Sequence, residues 1–299
     1  MKIAPLAPDA LGEARALLEA ACAFDPAAAV AEEKLFGAAP PPHSTVCLGA
    51  REAGRLVGVA VISGRWLRLL AVDPAARLRG VGSALVAAAC ERAQTLGAKR
   101  IRTGDQPGNY LAPGIDERNE ATIGFFARRG FIEKSRYENL TVPLAGNDRV
   151  TPDRARGFAD DAAARGYTVR RALASDGPGL LDFAATAFAP AWAFEAGRAL
   201  ETDPPGVHIA VAAASGAIVA FACHDGNNRG LGWFGPAGTA VAQRGQRLGQ
   251  ALLLSCLVDV AAAGHAAGVI AWIGPRRFYE EAAGARSDRR FVVLEKSLA

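Results

Sequence analysis

Residues 67–85, LRLLAVDPAARLRGVGSAL, decide how this chain is read. Leu67, Leu69, Leu70 and Val72 form a β-type run that ends at Asp73-Pro74, where proline stops strand pairing. Arg77-x-x-Gly80-x-Gly82 follows, and Leu85, Val86, Ala89, Cys90 and Ala93 then fall at helical spacing up to a stop at Gly97. A strand, a glycine-bearing loop and a helix in that order build an anion site. The first backbone N–H groups of a helix lack partners within it, and the macrodipole makes that end positive. Glycine lets the loop close on a phosphate with no Cβ in the way. The same short motif also serves an ordinary strand–turn–helix in which glycine only relieves crowding.

A second copy lies downstream. Arg77 and Arg244 are 167 residues apart, as are Gly82 and Gly249. Each loop precedes an apolar helix that ends at a glycine, and a strand follows, near Lys99–Gly104 in one half and Gly268–Gly274 in the other. Before the loops, each half offers an opening strand, helical segments and a hairpin. These are Lys2–Leu6, Leu11–Ala23, Thr45–Ala50 and Leu56–Ser63, then Thr168–Ala172, Gly179–Phe188, Trp192–Leu200, Val207–Ala214 and Ala217–His224. Phe126 in FFARRGF corresponds to Tyr279 in FYEEAAG at the shorter offset of 153, so the first half carries an insertion, QPGNYLAPGIDERN, over 106–119. Two tandem α/β (α+β) domains are expected, over 1–145 and 167–299, with polar residues 146–166 as a linker.

Composition narrows the classes. The chain is 51% hydrophobic with a formal net charge of +4, so it is globular, and it lacks the dense Lys/Arg stripe of a nucleic-acid binder. Cys22, Cys47, Cys90, Cys223 and Cys256 are odd in number and widely spaced, which argues for reduced thiols in the cytoplasm rather than disulfides or a zinc site. No metal-ligand spacing, signal peptide or membrane-spanning stretch is expected.

Strand, R-x-x-G-x-G, helix, strand, then a helix bearing F-[FY]-x-x-x-G resembles the GNAT superfamily of N-acetyltransferases, here as two copies that cover nearly the whole chain. The resemblance implies that each domain is a splayed, mixed, mostly antiparallel sheet flanked by helices, with acetyl-CoA entering between two strands. It implies that the backbone of Leu70, Ala71 and Val72 pairs with the pantetheine arm. The pyrophosphate would lie on Arg77, Leu78, Arg79, Gly80, Val81, Gly82 and Ser83. The matching stretches of the second copy are Ala237, Gly238 and Thr239, then Arg244, Gly245, Gln246, Arg247, Leu248, Gly249 and Gln250. There Arg247 stands where the first glycine is expected.

The expected chemistry is direct transfer of acetyl to a primary amine, small-molecule or peptide, whose identity and any oligomeric state stay open. A neutral amine attacks the thioester, a backbone N–H stabilises the oxyanion, and a general acid protonates the leaving thiolate. The resemblance assigns that acid to the tyrosine of the F-Y-x-x-x-G element, Tyr279. The first copy has Phe126 there, which donates no proton. Catalysis in the second domain is favoured; catalysis in the first, with Tyr110 of the inserted loop as the acid, and catalysis in both are the alternatives. Asn109, Asp116 and His224 are further polar candidates. A non-catalytic acyl-CoA-binding or regulatory protein, and a structural protein-binding module, are the readings from other classes.

Overall fold

The computed structural model describes residues 1–298; Ala299, the last residue of the expected second domain, lies outside them. The first repeat runs β1 (Lys2–Pro5), α1 (Leu11–Ala21), α2 (Ala31–Leu35), β2 (Thr45–Glu52), β3 (Arg55–Ser63), β4 (Trp66–Val72), α3 (Val81–Thr95), β5 (Arg100–Thr103), β6 (Ile115–Asp116), α4 (Glu120–Ala127) and β7 (Ile132–Pro143). After it come α5 (Pro152–Ala163), β8 (Tyr167–Arg171), α6 (Gly177–Ala187), α7 (Pro190–Leu200), β9 (Val207–Ala212), β10 (Ile218–His224), β11 (Trp233–Thr239), α8 (Leu248–Ala262), β12 (Ala267–Ile270), α9 (Arg276–Ala283) and β13 (Arg286–Ser297).

The chain forms two compact units. One is Met1–Tyr137 with the segment from Arg289 onward; the other is Glu138–Asp288. In the first the strand order is β1-β2-β3-β4-β5-β13, antiparallel except for β4–β5, with β6 beside β13. In the second it is β8-β9-β10-β11-β12-β7, antiparallel except for β11–β12. Both are the mixed, mostly antiparallel sheet that the resemblance implies.

The duplication extends to register. Trp66 pairs with Arg102 and Leu67 with Thr103; Trp233 pairs with Val269 and Phe234 with Ile270, every residue displaced by 167. What the repeat did not disclose is that the sixth strand of each sheet comes from the other half. Thr141 and Leu140 of β7 pair with Val269 and Ile270, while Glu295, Lys296 and Ser297 of β13 pair with Arg102, Ile101 and Arg100. The expected boundaries at 145 and 299 are therefore corrected: 138–145 belong to the second unit and 289–298 to the first.

The expected linker over 146–166 is corrected too. It contains α5, which opens with Thr151 capping the Arg154 amide and Pro152 in the first turn. The reason lies in α8, LGQALLLSCLVDVAA, which is apolar over most of its circumference and buries Leu248, Leu252, Leu253, Leu254, Cys256 and Leu257. A helix apolar over most of its circumference needs cover on both sides. The sheet supplies one side, and Ala155 and Ala162 of α5, with Phe158, join the same core from the other. In the first unit, by contrast, α3 buries one stripe, Val81, Leu85, Val86, Ala89 and Ala93, against Val57, Ala60, Ile62 and Ile101.

Leu294 is 3% exposed in the core of the first unit, and its amide and carbonyl engage the Thr103 hydroxyl. Leu294→Ala should cost about 3 kcal/mol, the usual penalty for emptying a packed leucine site. Hydrogen exchange checks the assignment: protection should fall in β3, β4 and α3, which lie some 200 residues away in sequence, and not in α8.

Candidate active site

The site follows from how briefly β4 and β5 stay together. They share two residue pairs, continued by hydrogen bonds from the Arg102 amide to the Arg65 carbonyl at 2.8 Å and from Gly104 to Leu67 at 2.9 Å, and then part. Where they part, β4 carries a bulge at Arg68, since Leu67 pairs with Ile62 and Leu69 with Val61. Beyond it the Asp73 amide bonds back to Val57 of β3 at 3.0 Å. Strand alternation then turns the N–H and C=O groups of Leu70 and Val72 away from β3, toward the gap. That gap is a cavity of about 490 Å³, bordered by β4, the end of α1 at Cys22, Thr103, residues 111–116 and α4.

The glycine loop opens onto the same cavity. Leu70, Ala71, Val72, Arg77, Leu78 and Gly82 all border it. Leu78 (φ 61°) and Gly80 (φ 86°) are both left-handed, and Gly80 caps α3. The first bond of the helix runs from Ala84 to the Gly80 carbonyl, so the amides of Val81, Gly82 and Ser83 have no acceptor within the helix. The loop's side chains serve its shape. Arg77 donates to the carbonyls of Val72 (3.3 Å) and Ala21 (3.0 Å), tying α1 to β4, and Arg79 pairs with Glu52 at 2.7 Å. The Ser83 hydroxyl accepts from Arg129, whose guanidinium lies over the Phe125 ring. A Cβ on Gly82 would stand 3.2 Å from Phe125, so this glycine answers to packing as well as to any ligand.

The second loop keeps the same backbone with the glycine moved. Gly245 (φ 83°) and Arg247 (φ 57°) match Leu78 and Gly80 at the same displacement of 167. Each loop thus places one non-glycine residue in the left-handed region, at a cost of about 1–2 kcal/mol. The exposed Arg244 and Arg247 flank it, the Gln246 carbonyl accepts from Arg165, and Gln250 bonds back to the Arg247 carbonyl at 3.1 Å. Leu248 is buried, and a Cβ on Gly249 would stand 3.4 Å from Phe278, as one on Gly82 would stand beside Phe125. Ala237, Gly238 and Thr239 lie on β11 in register with Ala222, Phe221 and Ala220.

The other candidates separate. Tyr279 packs against Phe234 and Phe278, and burial pushes its phenol up to about 12. Phe126 borders the first cavity at 2% exposure. Tyr110 is buried, and its neighbours Leu111 and Ala112, rather than Tyr110, border the cavity. Asn109 is structural: it accepts from Lys34 at 2.9 Å and donates to the carbonyls of Glu33 and Ala38. Asp116 does face the cavity. Burial raises its pKa, but Arg118 and Arg289, each at 2.7 Å, outweigh that and hold it at about 2.

Sequence reasoning missed two residues here. Arg289, from the last strand, also grips Asp25 on the cavity wall at 2.8 Å. Cys22 borders the cavity with its thiol pushed up to about 12 by burial and by Asp25. The apolar helix that ends at Cys22 was a signal for the cysteine; nothing local points to Arg289. Among the described residues no group of three or more His, Cys, Asp or Glu side chains is placed to hold a metal ion, and no helix is long and apolar enough to cross a membrane.

His224 belongs to a separate polar cluster of the second unit. Its Nδ1 meets Asp225 at 2.8 Å, and its Nε2 meets Asp259 at 3.3 Å, a carboxylate that also binds His208 and Arg171. Burial lowers the His224 pKa, but the two carboxylates overcome this and raise it to about 8. Its contribution to stability is complete below about 6.5 and disappears as pH rises through 8, a change of about 2 kcal/mol. Urea midpoints should therefore fall between pH 6.5 and 8.5, and His224→Gln should flatten that slope.

Residues 14–131 match the sequence profile of the acetyltransferase (GNAT) family. No curated protein sequence matches the chain. Solved structures resemble it along its whole length. A GCN5-related glucosamine N-acetyltransferase region of a fungal multi-domain GH3 beta-N-acetylglucosaminidase superposes with a TM-score of 0.78 at 18% identity, over 98% of this chain and 38% of that longer one. A tandem GNAT protein from the clavulanic acid biosynthesis pathway gives 0.71 at 19% identity, over 100% and 98% of the two chains. A GCN5-related N-acetyltransferase from Sphaerobacter thermophilus gives 0.68 at 18%, over 99% and 95%. Likeness at such identity speaks for fold, and the profile match speaks for the first unit. The chain has the fold of the tandem GNAT proteins, and its residues 14–131 match the acetyltransferase (GNAT) family.

Proposed function

We propose that the first unit binds acetyl-CoA and transfers its acetyl group directly to a primary amine. One observation carries this reading: a single cavity of about 490 Å³ joins the open edge of β4 to the amide-bearing start of α3. The amides of Val81, Gly82 and Ser83 are suited to a pyrophosphate, by hydrogen bonding and by the helix dipole. The outward N–H and C=O groups of Leu70 and Val72 are suited to the amides of a pantetheine arm, which would add to β4 as a strand does. Acetyl-CoA brings an activated carbonyl, and an N–H of the same strand edge would stabilise the oxyanion formed on attack.

The cavity's side chains restrict the route. Cys22 stays a thiol, so it does not compete as an acyl acceptor. Asp116, held at about 2 by two arginines, is too weak a base to take the amine's proton. Phe126 cannot protonate the thiolate. The five free cysteines support a reducing, cytoplasmic setting.

The second reading places catalysis on Tyr279, favoured by the left-handed loop that Gly245 and Arg247 preserve. Thiol release from acetyl-CoA with a panel of primary amines separates the two. Gly80→Glu puts bulk and negative charge at the cap of α3 and should weaken acetyl-CoA binding at least about 100-fold, or about 2.7 kcal/mol. Tyr279→Phe should leave turnover within about two-fold; a loss of about ten-fold, 1.4 kcal/mol of barrier, would move the chemistry to the second unit. Binding without thiol release for any amine would instead favour a non-catalytic acyl-CoA sensor.

A further inference from the structure

The two clefts differ at one position that the repeat makes easy to compare. α1 and α6 are each 11 residues long, and each ends at the residue that follows it, Cys22 in the first unit and Phe188 in the second. In the first unit Cys22 and Ala71 both border the cavity. The residue displaced by 167 from Ala71 is Gly238, and the two occupy the same register, Ala71 opposite Val59 and Gly238 opposite Phe221.

Gly238 is glycine because a ring lies on it. An ideal Cβ there would stand 2.3 Å from Cζ, 2.6 Å from Cε1 and 2.8 Å from Cε2 of Phe188, closer than any real side chain approaches. The ring is not poised to swing away. It stacks on Trp192 with centroids 4.8 Å apart and planes 14° off parallel, and it meets Phe183 and Phe221 edge-on at 5.7 and 5.9 Å. Phe221 is fully buried, and Phe183, Phe188 and Trp192 are partly buried rings packed against the same core, held by these mutual contacts. The space that is cavity beside Ala71 is therefore filled with packed carbon beside Gly238.

We infer that Phe188 closes the cleft of the second unit, so that the chain takes up one acyl-CoA, in its first unit. This rests on the acyl-CoA reading above and adds the stoichiometry and the residue that sets it. The block falls on the pantetheine segment of the cleft. The second loop keeps its left-handed turn and its arginines, so the helix end that would meet a phosphate is not what is missing.

Calorimetric titration of the full chain with acetyl-CoA tests the inference. One equivalent should bind to the unmodified protein, none to Gly80→Glu, and two to Phe188→Cys, which restores the residue of the first unit. Two equivalents in the unmodified protein, or any remaining binding to Gly80→Glu, would overturn it. So would a single equivalent in Phe188→Cys that retains its folded circular dichroism. Should Phe188→Cys not fold, the Gly80→Glu titration decides alone. No binding by the unmodified protein would overturn the acyl-CoA reading itself, and with it this inference.

Discussion

A strand cannot bury its backbone without partners, and β4 loses its partner on one side after two residue pairs with β5. Most of what is distinctive here follows from that separation. The bulge at Arg68 sits at the point of parting and turns Leu70 and Val72 toward the gap, while Arg68 itself reaches Gln106 at 2.6 Å and Thr45 at 2.9 Å behind the strand. α3 begins where β4 ends, so an open strand edge and a positive helix terminus share one cavity. The second unit repeats the geometry, with its register shift over Gly235 and Pro236, the first of which is displaced by 167 from Arg68. One cleft is open and the other is packed with aromatic rings, although the backbones agree in register. Side-chain volume at two positions, rather than any difference in fold, separates them.

Much of this was legible from the chain. The paired R-x-x-x-x-G loops, the glycine-stopped helices and the hairpins are local signals, and they stand where the spacing put them. The two-residue turn at Ala53-Gly54 between β2 and β3 is left-handed at both positions, which lets the two strands pair closely. The glycine loop was legible only in part. Gly80 takes the left-handed backbone that glycine allows, but Leu78 adopts the same region with no glycine to announce it. Arg247 reads as a defect, whereas the structure shows it as one half of an exchange with Gly245.

What could not be read was non-local. Strands β7 and β13 have the same alternating pattern whichever sheet they complete, so their exchange leaves no trace in periodicity. Helix α5 hides for a different reason: its buried face is Ala155 and Ala162, residues that also suit a polar connector. Its need becomes visible only from α8, whose apolar circumference calls for a second cover. The role of Tyr110 is a similar case. Its place in a proline- and glycine-rich insertion beside the expected cleft suggests chemistry, but the loop turns Leu111 and Ala112 to the cavity instead.

The exchange of final strands also bears on the order in which the chain is made. The first unit contains residues made before the second unit and, through Phe291, Val292 and Leu294, residues made after it. At about 5–20 residues per second, a ribosome takes on the order of 10–40 s to travel from Thr103 at the end of β5 to Arg286 at the start of β13. For that interval the edge of β5 has no partner from β13, and the core that will flank the open cleft lacks one wall. The second unit obtains its borrowed strand, β7, before its own residues begin to emerge. The half that begins first is therefore the half finished last, and a nascent chain cannot complete the cavity beside β4 until β13 has left the ribosome.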